Sequence, residues 1–146
     1  MVLLASDAFS SLQDGLYRKF STGASVIILE MGFSYGSVLF ESLNRVAMTK
    51  GTEADPPNIK SLVELMMKTG CGKLTIEGDV ERGSRLSVTA KNCVFCEGRD
   101  PEYTCNFLRG IVLGLSTSLY AKQYKSEVDC KPINGEHVCR IELLGK

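Results

Sequence analysis

Apolar residues recur at helical spacing in the N-terminal part of the chain. The repeating positions are Phe9, Leu12, Leu16 and Phe20. Such spacing places the apolar side chains on one face of an α-helix. Gly23 interrupts the pattern, and a longer apolar segment, from Ala24 to Met48, follows it. This second segment is apolar on almost every side, which predicts a helix buried on several sides and is compatible with a subunit contact.

Two later segments return to the helical period. After a polar loop from Gly51 to Pro57, the apolar residues between Ile59 and Met67 predict a third helix that ends at Gly70. The segment from Cys105 to Ala121 predicts a long fourth helix. The second and fourth predicted helices each carry two glycines four positions apart, and such glycines let a neighbouring backbone approach closely. These glycines are Gly32, Gly36, Gly110 and Gly114.

Alternating apolar and polar residues predict two hairpins. Residues 73–77 and 85–90 alternate on either side of a turn that contains glycine, which is typical of an antiparallel pair. Strand-like runs also occupy residues 124–128 and 138–143, and Asn134-Gly135 between them is a strong hairpin signal. The pattern predicts one α+β domain over residues 1–146, with N-terminal helices packed on a twisted antiparallel sheet of about four strands and a long helix before the C-terminal hairpin.

The charge and the N-terminus narrow the function classes. Lys plus Arg and Asp plus Glu number 17 each, so the basic surface of a nucleic-acid-binding protein is not expected. The first residues carry no basic stretch, and an acidic residue follows at Asp7, which is unlike a signal peptide. No apolar run is expected to span a membrane, and the prediction is a cytoplasmic protein.

Six cysteines in a chain with this N-terminus favour metal binding over disulfides, because the cytoplasm is reducing. Cys105 opens the fourth helix, where the helix dipole favours a thiolate. Glu127 and Cys130 end one predicted strand, and Cys139 lies on the strand that pairs back. These four side chains would suit tetrahedral zinc, although iron and an ordinary buried-core role for the cysteines stay open.

His137 and Cys96 are reserve ligands for the metal. His137 precedes Cys139 by two positions, and a lone His near a turn is more often a solvated side chain than a ligand. Cys93 and Cys96 form one C-x-x-C step. The step could supply a ligand in place of Glu127, act as a redox pair, or simply end a strand, and the last reading is slightly favoured. The role of Cys71 is left open.

Three stretches resemble the 4-vinyl reductase domain family. They are residues 105–115 (CNFLRGIVLGL), the E-x-x-C step 127–130 and residues 139–141 (CRI). The family is a small-molecule-binding fold of bacterial aromatic-sensing regulators and many archaeal proteins, and it is related to Bet-type subunits of the TRAPP tethering complex. The resemblance implies that Cys105, Glu127, Cys130 and Cys139 bind zinc as in the phenol sensors. The chain has no Trp and one His, so those sensors' pocket residues are not reproduced and phenol itself is not the expected ligand.

Three functions follow from these observations. The first is a stand-alone sensing domain for a hydrophobic small molecule, which forms a homodimer and requires a separate protein to receive its signal. The second is a dimeric scaffold subunit of the TRAPP type, which exposed apolar surface on the second helix would favour. The third is a vinyl reductase of tetrapyrrole metabolism. Neither a dinucleotide fingerprint nor any other catalytic motif is visible, so no catalytic residue is assigned and an enzyme is not expected.

Overall fold

The computed structural model describes residues 6–49, 58–68, 72–96 and 105–146. Within these residues, four helices and four strands form an α+β fold, which confirms the predicted fold class. The helices are α1 (Ser6–Phe20), α2 (Gly23–Thr49), α3 (Ile59–Lys68) and α4 (Asn106–Tyr120). The strands are β1 (Lys73–Gly78), β2 (Arg85–Lys91), β3 (Tyr124–Ile133) and β4 (Glu136–Gly145), and a short 3₁₀ turn covers Val94–Cys96.

The sheet is antiparallel throughout, with strand order β1-β2-β4-β3. Alternation along β2 and β4 buries one face, and the buried side chains include Val88, Ala90, Cys139 and Ile141. Leu108, Ile111, Val112 and Leu115 of α4 belong to the same apolar cluster. The core therefore lies between α4 and the inner face of the sheet.

Helices α2 and α4 pack backbone to backbone at their four glycines. A Cβ atom on Gly32 would collide with the carbonyl oxygen of Phe107 and would lie 3.1 Å from the Cα atom of Gly110. A Cβ atom on Gly114 would collide with the carbonyl oxygen of Phe33. The close approach expected from the glycine spacing is thus present.

Helix α2 is the outer helix of this pair. Over Gly23–Val46, 24 residues, it is long and apolar enough to cross a membrane by length and composition alone. The expectation that no apolar run reaches that length therefore does not hold for α2. The share of its most apolar window that is buried is 22%, so the expected burial of α2 on several sides is wrong. The face that carries Gly32 and Gly36 packs against α4, whereas Val26, Tyr35 and Val38 are at least half exposed.

Candidate metal centre

The C-terminal hairpin brings two of the expected ligands together. Cys130 of β3 and Cys139 of β4 are directly opposite in the register, and their Cα atoms are 4.0 Å apart. The two sulfurs are joined as a disulfide. Cys139 is fully buried, while Cys130 is partly buried at the edge strand. Because the register fixes this pair, the two sulfurs remain neighbours when they are reduced.

His137 belongs to the same group. It lies two residues before Cys139 on β4, and side chains at that spacing share one face of a strand. Its Nδ1 atom is 3.8 Å and its Nε2 atom 4.0 Å from the Sγ atom of Cys139. One ligand atom from each of Cys130, His137 and Cys139 lies within 4.8 Å of the others. The reserve ligand is therefore one of the three side chains that could hold a metal ion here.

Glu127 is not brought to this group. It is three positions before Cys130 on a continuous strand, and an odd spacing places the two side chains on opposite faces. Its side chain is 74% exposed, and its Oε1 atom is 3.7 Å from the Nζ atom of Lys125. The carboxylate thus faces solvent on the outer face of the sheet.

Cys105 lies at the start of α4 and makes a different contact. It is the N-cap residue, it is 1% exposed, and its side chain makes no capping hydrogen bond. Its Sγ atom is 3.5 Å from the Sγ atom of Cys93, which is 2% exposed. Sequence reasoning gave Cys93 no role of its own, although the C-x-x-C step was the signal that could have identified it. Cys71 and the side chain of Cys96 lie outside the described residues.

The two sulfur groups occupy the same end of the sheet. Ala90 of β2 is the register partner of Cys139, and the backbone N–H of Asn92 donates to the carbonyl oxygen of His137 at 3.1 Å. Cys93 is the next residue after Asn92. Cys93, Cys105 and Cys139 are all members of the one buried cluster.

An arginine ties the first turn of α4 to β3. The Nε atom of Arg109 donates to the hydroxyl of Ser126 at 2.9 Å, and its Nη2 atom donates to the Ser126 carbonyl oxygen at 3.1 Å. Burial lowers the pKa of the Arg109 guanidinium. The contact therefore ties the N-terminal part of α4 to the start of β3.

Aromatic side chains hold the 3₁₀ turn beside Cys93. The rings of Phe9, Phe95 and Phe107 pack with centroids 4.6–5.1 Å apart. The side-chain amide of Gln13, which is buried in α1, donates to the carbonyl oxygen of Phe95 at 2.9 Å. Helices α1 and α4 therefore both position the segment that follows Cys93.

The donor set fits zinc chemically. Thiolate sulfur and imidazole nitrogen are the ligands that structural zinc sites use. A metal would require the disulfide to be reduced, because sulfur binds zinc as a thiolate. Reduction by two low-molecular-weight thiols would leave two cysteine thiols and one small disulfide, and zinc would then displace the thiol protons.

Comparisons with known proteins support the fold and not a sequence family. No family model matches the chain, and no curated protein matches it either. The phenol-responsive sensory domain of the transcription activator PoxR, determined with phenol, is similar with a TM-score of 0.65 and 16% identity, over 99% of this chain and 76% of that one. Trafficking protein particle complex subunit 3 from Naegleria fowleri, covalently bound to palmitic acid, is similar with a TM-score of 0.58 and 11% identity, over 94% of this chain and 92% of that one.

A variant of Tt H-NOX is also similar, with a TM-score of 0.52 and 8% identity, over 100% of this chain and 74% of that one. The chain thus shares its fold with a phenol-responsive sensory domain, a subunit of the trafficking protein particle complex and an H-NOX variant. At these identities the likeness establishes the fold alone.

Proposed function

We propose that this chain is a small-molecule-binding domain that takes an apolar ligand and is braced at one end by a zinc site. The observation that carries the proposal is the fold, because two similar structures that match over 94% or more of this chain are described with phenol and with palmitic acid. Each of these molecules joins an apolar body to one polar group. Only that ligand class is carried over to this chain.

A buried hydroxyl supports the same class of ligand. Ser116 of α4 is fully buried, and its Oγ atom has no hydrogen-bond partner among the described residues. It lies one turn after Val112 and next to Leu115, within the apolar layer. Such an unsatisfied group costs about 1–3 kcal/mol. The polar group of an amphipathic ligand that enters this layer would offset that cost.

The ligand is tested by thermal unfolding with phenol and with palmitic acid as separate probes. A ligand that binds only the folded chain raises the melting temperature as its concentration rises. We expect a shift with at least one probe, a smaller shift in Ser116→Ala, and the wild-type shift in Ser42→Ala, which removes an exposed hydroxyl from α2. The absence of a shift with both probes, together with no apolar compound in a solvent extract of the purified protein, would contradict the proposal.

The zinc site is tested by metal content. Protein purified under reducing conditions without added metal should carry about one zinc per chain by elemental mass spectrometry. Cys105→Ser and Cys139→Ser should both lose it, since each removes a thiolate from the expected set. A wild-type chain without metal would show the cysteines to be core or redox residues.

A dimeric scaffold is the second candidate, and the surface of α2 favours it. Met31, Tyr35 and Val38 lie along one stripe of the helix and are each at least 43% exposed. Together they form an apolar strip on the helix that lies outside α4. We infer that the strip is a contact with a second copy. Analytical ultracentrifugation should show a dimer that Val38→Lys converts to a monomer, and a monomeric wild type would contradict this.

The family and the location are part of the same proposal. The chain is proposed to be a 4-vinyl-reductase-like domain on the three stretches that carry the resemblance, at residues 105–115, 127–130 and 139–141. A cytoplasmic location agrees with the proposed zinc site, because the thiolates persist in a reducing compartment.

A further inference from the structure

Cys93 and Cys105 form a thiol pair at the spacing that a shared metal requires. They come from different segments, after β2 and at the start of α4, yet their sulfurs are 3.5 Å apart and both side chains are almost completely buried. Two thiolates bound tetrahedrally to one zinc at about 2.3 Å each lie roughly 3.8 Å apart. The distance between the two sulfurs therefore has to grow only slightly for both to bind one zinc ion as two corners of its coordination tetrahedron.

The second thiol pair lies at the same end of the sheet. Cys130 and Cys139 are opposite each other in the register, and Cys139 is also opposite Ala90, three residues before Cys93. The backbone hydrogen bond from Asn92 to His137 extends the pairing of the two strands by one residue beyond Lys91. Cys93 follows Asn92 directly. The two thiol pairs therefore lie at the same end of the sheet and belong to one buried cluster, with Cys130 packed against it. A site that uses all four thiols requires the two pairs to move towards each other, because the ligand atoms grouped within 4.8 Å are those of Cys130, His137 and Cys139.

Glu127 lies on the outer face of the sheet, opposite the face on which a zinc ligand beside Cys130 would have to lie. Bringing its carboxylate to Cys130 would require β3 to change its alternation, which would also turn the partly buried Val128 outwards. Cys93 reaches the inner face without such a change. The inner face also offers the N-terminus of α4, whose positive end stabilises thiolate charge.

We propose that Cys93 is a zinc ligand, in the place otherwise given to Glu127, and that the site is made of Cys93, Cys105, Cys130 and Cys139. This inference rests on the proposed zinc site and names its fourth ligand. Loading starts from the reduced chain: two low-molecular-weight thiols convert the Cys130–Cys139 disulfide to two thiols and are themselves joined as a disulfide. Zinc then binds four thiolates and releases four protons. His137 donates a hydrogen bond to the Cys139 thiolate instead of binding the metal.

Zinc X-ray absorption on the reduced, zinc-loaded wild-type chain tests the ligand set without any variant. We expect four sulfur neighbours at about 2.3 Å and no nitrogen or oxygen neighbour at about 2.0–2.1 Å. A shell with three sulfurs and one nitrogen or oxygen would overturn the assignment of Cys93, while it would leave the zinc site itself standing.

Competition with a chromophoric chelator, measured on variants, identifies which residues bind the zinc. Cys93→Ser should weaken zinc binding by a factor of about 100 or more, since loss of even a supporting contact to a ligand costs about 10–100-fold. Glu127→Gln, the matched control on the outer face, should bind as the wild type does. If Glu127→Gln loses zinc and Cys93→Ser keeps it, the inference is wrong and the set implied by the resemblance is right. If the reduced wild type binds no zinc, the proposed zinc site itself fails.

Discussion

Polar side chains contribute to the stability of this protein according to whether they have hydrogen-bond partners. Ser116 is the one described side chain with a fully buried nitrogen or oxygen atom and no hydrogen-bond partner. Asp79 is the contrasting case, because hydrogen bonds from the Ser84 hydroxyl and the Arg82 backbone lower the pKa of its carboxyl. A polar group that is partnered stabilises its surroundings, whereas a buried orphan destabilises them.

Ser116→Ala should therefore stabilise the ligand-free chain. Removing the orphan hydroxyl avoids a cost of about 1–3 kcal/mol, and alanine also has the higher helix propensity. Ser42→Ala measures the propensity part alone, because its hydroxyl is exposed on α2. Urea unfolding should show a larger gain for Ser116→Ala than for Ser42→Ala. An equal or smaller gain would mean that a water or a ligand already partners the hydroxyl.

The site also shows at the residue scale what sequence can and cannot supply. The hairpin signal at Asn134-Gly135 predicted that Cys130 and Cys139 would come together. They were expected as metal ligands rather than as a disulfide, whereas the structure joins them as a disulfide. The alternating run was recognised over residues 124–128, with Cys130 placed at the end of the strand, whereas β3 continues as one strand to Ile133. With that extension, the odd spacing separates Glu127 from Cys130. The contact between Cys93 and Cys105 joins segments on either side of a loop, and no local pattern encodes it.

At the scale of elements, the helical and alternating patterns predicted all four helices and the four strands of the sheet. Each element shows apolar residues that repeat about every 3.6 or every 2 positions, and this repeat can be read from the sequence alone. The strand order β1-β2-β4-β3 was not predicted, because pairing β2 with β4 depends on how α4 crosses the sheet. The glycines of α2 and α4 were informative because they mark backbone contact rather than flexibility.

The α2–α4 contact predicts opposite effects of the same substitution at two glycines. Gly114→Ala would place a Cβ atom 3.0 Å from the backbone nitrogen of Ser37, besides the collision with Phe33. Overpacking of this kind costs about 1–3 kcal/mol. Gly15→Ala in α1 meets no heavy atom within 4 Å, so it should gain about 0.5–1 kcal/mol from helix propensity. Chemical denaturation of both variants measures the contrast, and equal effects would show that the two helices do not touch here.

Two tyrosines fasten the β1–β2 turn to the rest of the fold. The hydroxyl of Tyr120 donates to the Val80 carbonyl oxygen, and that of Tyr124 donates to the Gly83 carbonyl oxygen, each at 2.6 Å. Burial, and secondarily Tyr120, raise the pKa of Tyr124 from 10.0 to about 12. A phenol whose pKa is higher in the folded chain stabilises the fold below pH 10, and this contribution is lost as the pH rises towards 12.

The free energy of unfolding should therefore fall between about pH 10 and 12. Tyr124→Phe should be less stable at neutral pH by about 1 kcal/mol, because the Gly83 carbonyl loses its donor. Its deficit relative to the wild type should shrink in the alkaline range. Tyr35→Phe, which changes a half-exposed ring on α2, should follow the wild-type profile. A constant deficit of Tyr124→Phe at every pH would contradict the pKa shift as the cause.

At the scale of the whole molecule, the cysteine group joins the two layers of the fold. Cys105 belongs to the helical layer, and Cys139 belongs to the middle of the sheet. The disulfide crosses only between neighbouring strands of one hairpin, with nine residues of separation. A metal bound to both layers would connect parts of the chain that lie much further apart in sequence.

Three states of the protein should consequently differ in stability in a fixed order. The oxidised chain gains from its cross-link, but a short loop gives a modest gain of about 2–3 kcal/mol at most, because the hairpin is already ordered. Structural zinc can contribute on the order of 10 kcal/mol of apparent binding energy at neutral pH. The zinc-loaded reduced chain should melt at the highest temperature, the oxidised chain should be intermediate, and the reduced chain in chelator should be lowest. Calorimetry in the three conditions measures the order, and Glu127→Gln should preserve it. If zinc leaves the reduced chain no more stable than chelator does, the metal does not link the two layers, and the cross-link between Cys130 and Cys139 stays within one hairpin.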